Sequence, residues 1–102
     1  MRTVRDDDTF RTIVKGEIVF VFFYSGWNHA CKRMKPAFKA LAKQCGSTCT
    51  FATVDVNLCH EAAANVDDLP TFHVYHKGTQ THAYIGTDGN ELRTWVYKQS
   101  AV

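Results

Sequence analysis

No hydrophobic run in this chain is longer than the seven residues Ile18 to Tyr24, far short of the roughly 20 that a membrane-crossing helix needs. Neither charge sign dominates. Twelve Lys and Arg stand against ten Asp and Glu, a balance that supplies no field to gather nucleic acid or an anionic membrane surface. Neither is expected as a partner. There is no repeat, no low-complexity tract and no internal linker, so 1–102 is expected to form a single domain. The five histidines are scattered. None has the i, i+4 spacing beside acids that a zinc hydrolase uses, so neither a metal nor a cofactor is expected. Met1 to Asp8 is polar, with three consecutive aspartates, and lacks the apolar stretch of a secretory leader.

What is present fits a folded α/β protein. Hydrophobic residues make up 45% of the chain and aromatics 13%, enough for a core and too much for a disordered segment. A soluble, cytoplasmic protein is the expectation. Its four cysteines (Cys31, Cys45, Cys49 and Cys59) then read as reduced thiols. In an oxidising compartment they would allow two bridges in three pairings.

The pattern along the chain alternates. A short strand near Thr3–Val4 precedes a helix over Asp6 to Lys15, with Phe10, Ile13 and Val14 on one face and Gly16 at its end. Ile18 to Tyr24 is β-branched and aromatic without polar alternation, the mark of a strand buried on both faces. His29 to Cys45 predicts a long helix with Met34, Phe38, Leu41 and Ala42 inward, Pro36 inside it and Gly46 after it. Thr50 to Val56 is a second buried strand. Cys59 to Ala64 predicts a short Ala-rich helix. Thr71 to Tyr75 and Gln80 to Ile85 form a hairpin across Lys77-Gly78. Asp88 and Glu91 resemble a capping box for a last helix that buries Leu92, Trp95 and Val96. The result is a mixed sheet of four or five strands with helices on both faces.

Several segments, in order, resemble the thioredoxin family. Phe20 to Lys32, ending Trp27-Asn28-His29-Ala30-Cys31-Lys32, is similar to the strand and motif that end Trp-Cys-Gly-Pro-Cys-Lys. Pro36 matches that family's helix-kinking proline, and Val54-Asp55-Val56 its Val-Asp-Val strand end. Leu69-Pro70-Thr71-Phe72 matches the cis-proline segment. Tyr75-His76-Lys77-Gly78 and Tyr84-Ile85-Gly86 match two later turns. The resemblance covers nearly the whole chain and implies the thioredoxin-like fold. It also implies a groove floored by Trp27, Leu69, Pro70, Ile85 and Gly86, where an extended chain adds as a strand. Two positions depart from the pattern. The family's nucleophilic first cysteine falls on Asn28, and its buried aspartate falls on Phe22.

Those departures bear on chemistry. Dithiol exchange needs one thiolate to attack and a second thiol to resolve the mixed disulfide. An amide does neither, but Asn is among the best helix caps. Cys31 then occupies the third helical position, where the helix dipole and the cations Lys32, Arg33 and Lys35 favour a thiolate and burial opposes it. His29 is a candidate base for Cys31, or an ordinary turn histidine. Cys45 and Cys49 read as small packed residues, with a disulfide between them as the alternative. The resemblance makes Cys59 a candidate regulatory thiol. Three functions follow. The first is a thiol-redox protein without ordinary reductase activity, working through the single thiol Cys31 on protein or peptide thiols and disulfides, glutathione among them. The second is a redox-inactive module binding peptides in the groove. The third is weak exchange through Cys31 paired with Cys59.

Overall fold

The computed structural model describes residues 1–100; the last two residues of the expected 1–102 domain lie outside them. In chain order it contains β1 (Arg2–Val4), α1 (Asp7–Ile13), β2 (Ile18–Tyr24), α2 (His29–Cys45), β3 (Thr50–Asp55), β4 (Thr71–His76), β5 (Thr79–Ile85) and α3 (Gly89–Ser100). The strands form one sheet in the order β1-β3-β2-β4-β5. β1 and β2 run parallel to β3, and β4 runs antiparallel to β2 and β5. The sheet is thus the mixed one expected, with five strands.

β2 occupies the centre because its side chains are apolar on both faces. Side chains alternate along a strand, so Phe20 and Phe22 enter one core while Val19, Val21 and Phe23 enter the other. The first core is roofed by Met34, Phe38 and Leu41 of α2 and by Leu92 and Val96 of α3. In it Phe22 stacks on Phe72 at 4.8 Å between ring centroids and meets Phe38 at 5.5 Å. The second core is closed by Phe10 and Val14, with Phe10 edge-on to Tyr75 at 5.7 Å. Helices therefore cover both faces. Among the described residues no helix is long and apolar enough to cross a membrane.

The helix expected over Cys59–Ala64 does not form; the segment is a series of turns. The Asp7 carboxylate accepts the backbone N–H groups of Ala62 at 3.0 Å and Glu61 at 3.3 Å and ties the segment to α1. One α-type bond forms, Ala63 N to Cys59 O at 3.1 Å, but Ala64 N turns to Glu61 O at 3.2 Å, and a run this short cannot nucleate a helix unaided. The capping box before α3 is half formed. Asp88 Oδ1 accepts from Glu91 N at 3.3 Å and from Asn90 N at 2.8 Å, but the Glu91 carboxylate takes the Tyr84 hydroxyl at 2.9 Å instead of reaching back.

Candidate functional site

Strand register assembles the site. Phe23 pairs with Thr71, and Thr71 with Ile85. The chain leaving β2 toward Trp27, the Leu69-Pro70 segment entering β4, and Gly86 leaving β5 therefore all emerge at one end of the sheet. The Leu69–Pro70 peptide is cis. Trp27 is 73% exposed and Ile85 58%. Leu69 is half-buried and packs against both cores, Pro70 is buried and Gly86 is half-buried. At Gly86 a Cβ would lie 2.5 Å from the Tyr84 hydroxyl, which is held by Asp88 and Glu91. Only glycine fits there without moving that ring.

The turn after β2 closes with Asn28 N donating to Ser25 O at 3.1 Å. Asn28 is the N-cap of α2, and its Oδ1 accepts the Cys31 N–H at 2.9 Å. This satisfies one of the amides that every helix start leaves without an intrahelical partner. Cys31 lies at the third helical position, 1% exposed, in the core with Phe22, Met34 and Phe72. Burial pushes its thiol pKa up, and a backbone hydrogen bond from Ser25 pulls it part of the way back. His29 is exposed and contributes nothing to that shift.

Ser25 and Asn57 were not singled out in the sequence. Ser25 is fully buried, and Asn57 Nδ2 donates to its Oγ at 3.4 Å. The dipeptide Ser25-Gly26 signals only a strand end, so nothing local betrays this role. Cys59 is also fully buried, but in the core on the other face of the sheet. The sheet separates it from Cys31, so the third alternative, weak exchange through those two thiols, has no geometric basis. All four cysteines are free thiols. Among the described residues no three His, Cys, Asp or Glu side chains cluster as metal ligands do.

Known proteins resemble this arrangement along its whole length. A family model described as thioredoxin matches residues 2–98. Thioredoxin 1 of Plasmodium falciparum is 29% identical over 99% of this chain and 99% of its own. Thioredoxin H-type of Chlamydomonas reinhardtii is 31% identical over 81% of this chain and 75% of its own. A solved structure of Plasmodium falciparum thioredoxin superimposes with a TM-score of 0.91 at 28% identity, covering 96% of this chain and 98% of that one. Sequence and architecture agree: this chain belongs to the thioredoxin family of redox proteins.

Proposed function

We propose that this chain is a thioredoxin-family protein without ordinary dithiol reductase activity, and that it binds an extended segment of a protein or peptide partner in the groove of Trp27, Leu69, Pro70, Ile85 and Gly86. Thioredoxins act on protein disulfides. Here Asn28 stands where the family's attacking thiol belongs, and Phe22 stands where its buried aspartate belongs. One contrast carries the reading: Cys31 is 1% exposed while Trp27, four residues earlier in the chain, is 73% exposed. Burial screens the Cys31 sulfur from a partner's disulfide, whereas an exposed indole and an exposed isoleucine offer apolar area to a docked chain. Four free thiols suit a reducing, cytoplasmic setting.

A second reading keeps a single-thiol redox role for Cys31, with a protein thiol or glutathione as its partner. The Ser25 backbone hydrogen bond, which favours the thiolate, and the helix N-terminus support it.

One experiment separates the two. Extended peptides, each with a cystine or with serine in its place, are titrated by calorimetry against the wild-type protein, Trp27→Ala and Cys31→Ala. Binding of both peptide types, lost in Trp27→Ala and kept in Cys31→Ala, is the expected result. Binding confined to the cystine peptide, with a mixed disulfide at Cys31 by mass spectrometry, makes the single thiol the working group. Robust insulin reduction by the wild-type chain overturns both.

A further inference from the structure

Cys45 and Cys49 lie together at the C-terminal end of α2, the end opposite Asn28. Cys45 is the last residue of α2, and its carbonyl collects three donors. These are Thr48 N at 3.1 Å, Cys49 N at 3.0 Å and the Thr48 hydroxyl at 3.1 Å. The Cys49 N–H to Cys45 O bond is one α-type turn, which sets the two Cα atoms about 6 Å apart by helical geometry. That lies inside the roughly 4.4–6.8 Å Cα window of protein disulfides; Cβ atoms at helical i,i+4 spacing stand about 5–6 Å apart, so closing the bond to about 3.8 Å between Cβ atoms requires the turn after α2 to tighten. Both side chains belong to the same core, Cys49 within it and Cys45 packed against it.

Gly46 makes the turn possible. A Cβ there would lie 2.4 Å from the Ala42 backbone oxygen, which cannot swing away as a side chain tip can. The glycine between the cysteines thus lets the chain pack tightly against the last turn of α2 as it leaves the helix. Cys45 is half-buried. Cys49 lines an open surface cavity of about 200 Å³ with Ala42, Gly46 and Thr50.

We propose that Cys45 and Cys49 are a second thiol site, a dithiol that small disulfides of the glutathione type oxidise reversibly to an intramolecular disulfide. This site is independent of Cys31. The half-exposed Cys45 thiolate attacks one sulfur of the oxidised reagent. That S–S bond breaks, one glutathione leaves, and a mixed disulfide forms on Cys45. The Cys49 thiolate then attacks Cys45 Sγ and displaces the second glutathione. Two protein thiols are oxidised, one external disulfide is reduced to two thiols, and the two protons of the cysteines pass to those leaving groups. The Cys45 thiol is pushed up by burial first and by the charge of Cys49 second. Its reaction therefore quickens as pH rises towards and past 9.

The test uses the wild-type chain in glutathione redox buffers, quenched with acid and alkylated. Cleavage after Lys43 and Phe51 releases residues 44–51, which hold both cysteines and neither Cys31 nor Cys59. The expected product is this peptide lacking two hydrogens and carrying no alkyl group, restored to two alkyl groups by excess reduced glutathione. In Cys49→Ser the disulfide is replaced by a glutathione adduct on Cys45, and Cys45→Ser gives no linked product. Two alkyl groups or two glutathione adducts on 44–51 from the folded, oxidised wild-type chain overturn the proposal. So does a link that appears only after urea has unfolded the chain.

Discussion

Asn28 Oδ1 accepts the backbone N–H of Cys31 at 2.9 Å, so the position that resembles the family's attacking thiol serves here as the first cap of α2. The bond ties the turn at Ser25–Asn28 to the helix that carries Cys31, Met34 and Phe38 into the core. Asn28→Ala is therefore expected to lose about 1 kcal/mol of stability, and Asn28→Asp to lose much less. Urea denaturation of the three proteins measures this. An alanine variant as stable as the wild type removes the capping role.

Much of this was legible because it depends on local chemistry. Asn28 as a cap, Pro36 inside α2 and the doubly buried β2 follow from residue type and spacing alone. The failures are tertiary. Nothing in Cys59 to Ala64 announces that Asp7, more than fifty residues earlier, takes two of its amides. Nothing in Glu91 announces that its carboxylate goes to Tyr84. Ser25 gains its position beside Cys31 only when β2 and α2 are packed. The pairing of Cys31 with Cys59 likewise depended on sheet sidedness, which the alternation along β2 fixes only once its neighbours are known.

Burial of thiols and phenols makes alkaline stability a direct test of the packing. Burial pushes up the pKa of Cys31 and of Cys59 from 9.0, and that of Tyr75 to about 12. A group raised in the folded state holds its proton more tightly there, so its contribution is whole below the unfolded pKa and is lost as pH rises through the folded one. Stability is expected to be level up to about pH 9 with respect to these groups and to fall towards 12. Native-state alkylation of Cys31 at pH 8 should run far slower than that of Cys45, because Cys31 is buried and Cys45 half-buried. Equal rates at the two thiols, or stability unchanged up to pH 12, contradict the buried core described for Cys31 and Tyr75.

His73 acts in the opposite direction. It is 7% exposed, lies edge-on to Phe23 at 4.8 Å and leaves Nδ1 buried without a hydrogen-bond partner. Burial pushes its pKa below 6.5. The folded state thus prefers the neutral ring, and stability present above 6.5 is lost as pH falls through the lowered value. His73→Leu removes both the unpartnered nitrogen and this acid sensitivity. It is expected to stabilise the protein by about 1 kcal/mol at neutral pH and by more at pH 5. Urea curves at the two pH values test it, and a leucine variant with the wild-type pH slope assigns the sensitivity elsewhere.

Asn28→Cys asks how much of the family's chemistry the scaffold retains. The new thiol would stand at the start of α2 with Cys31 three residues on, the spacing at which one thiol attacks and the other resolves. Partial insulin-reducing activity is expected where the wild type has little. Phe22 is expected to limit it, because the position that resembles the family's buried aspartate holds a ring stacked on Phe72 and against Phe38. Adding Phe22→Asp should raise the turnover of Asn28→Cys while lowering stability by several kcal/mol, since it removes a core aromatic and buries a carboxyl. Turnover in Asn28→Cys that persists after Cys31→Ser would mean that Cys31 does not resolve. No turnover with a folded Asn28→Cys protein would show that the groove, and not only the missing thiol, has left dithiol exchange behind.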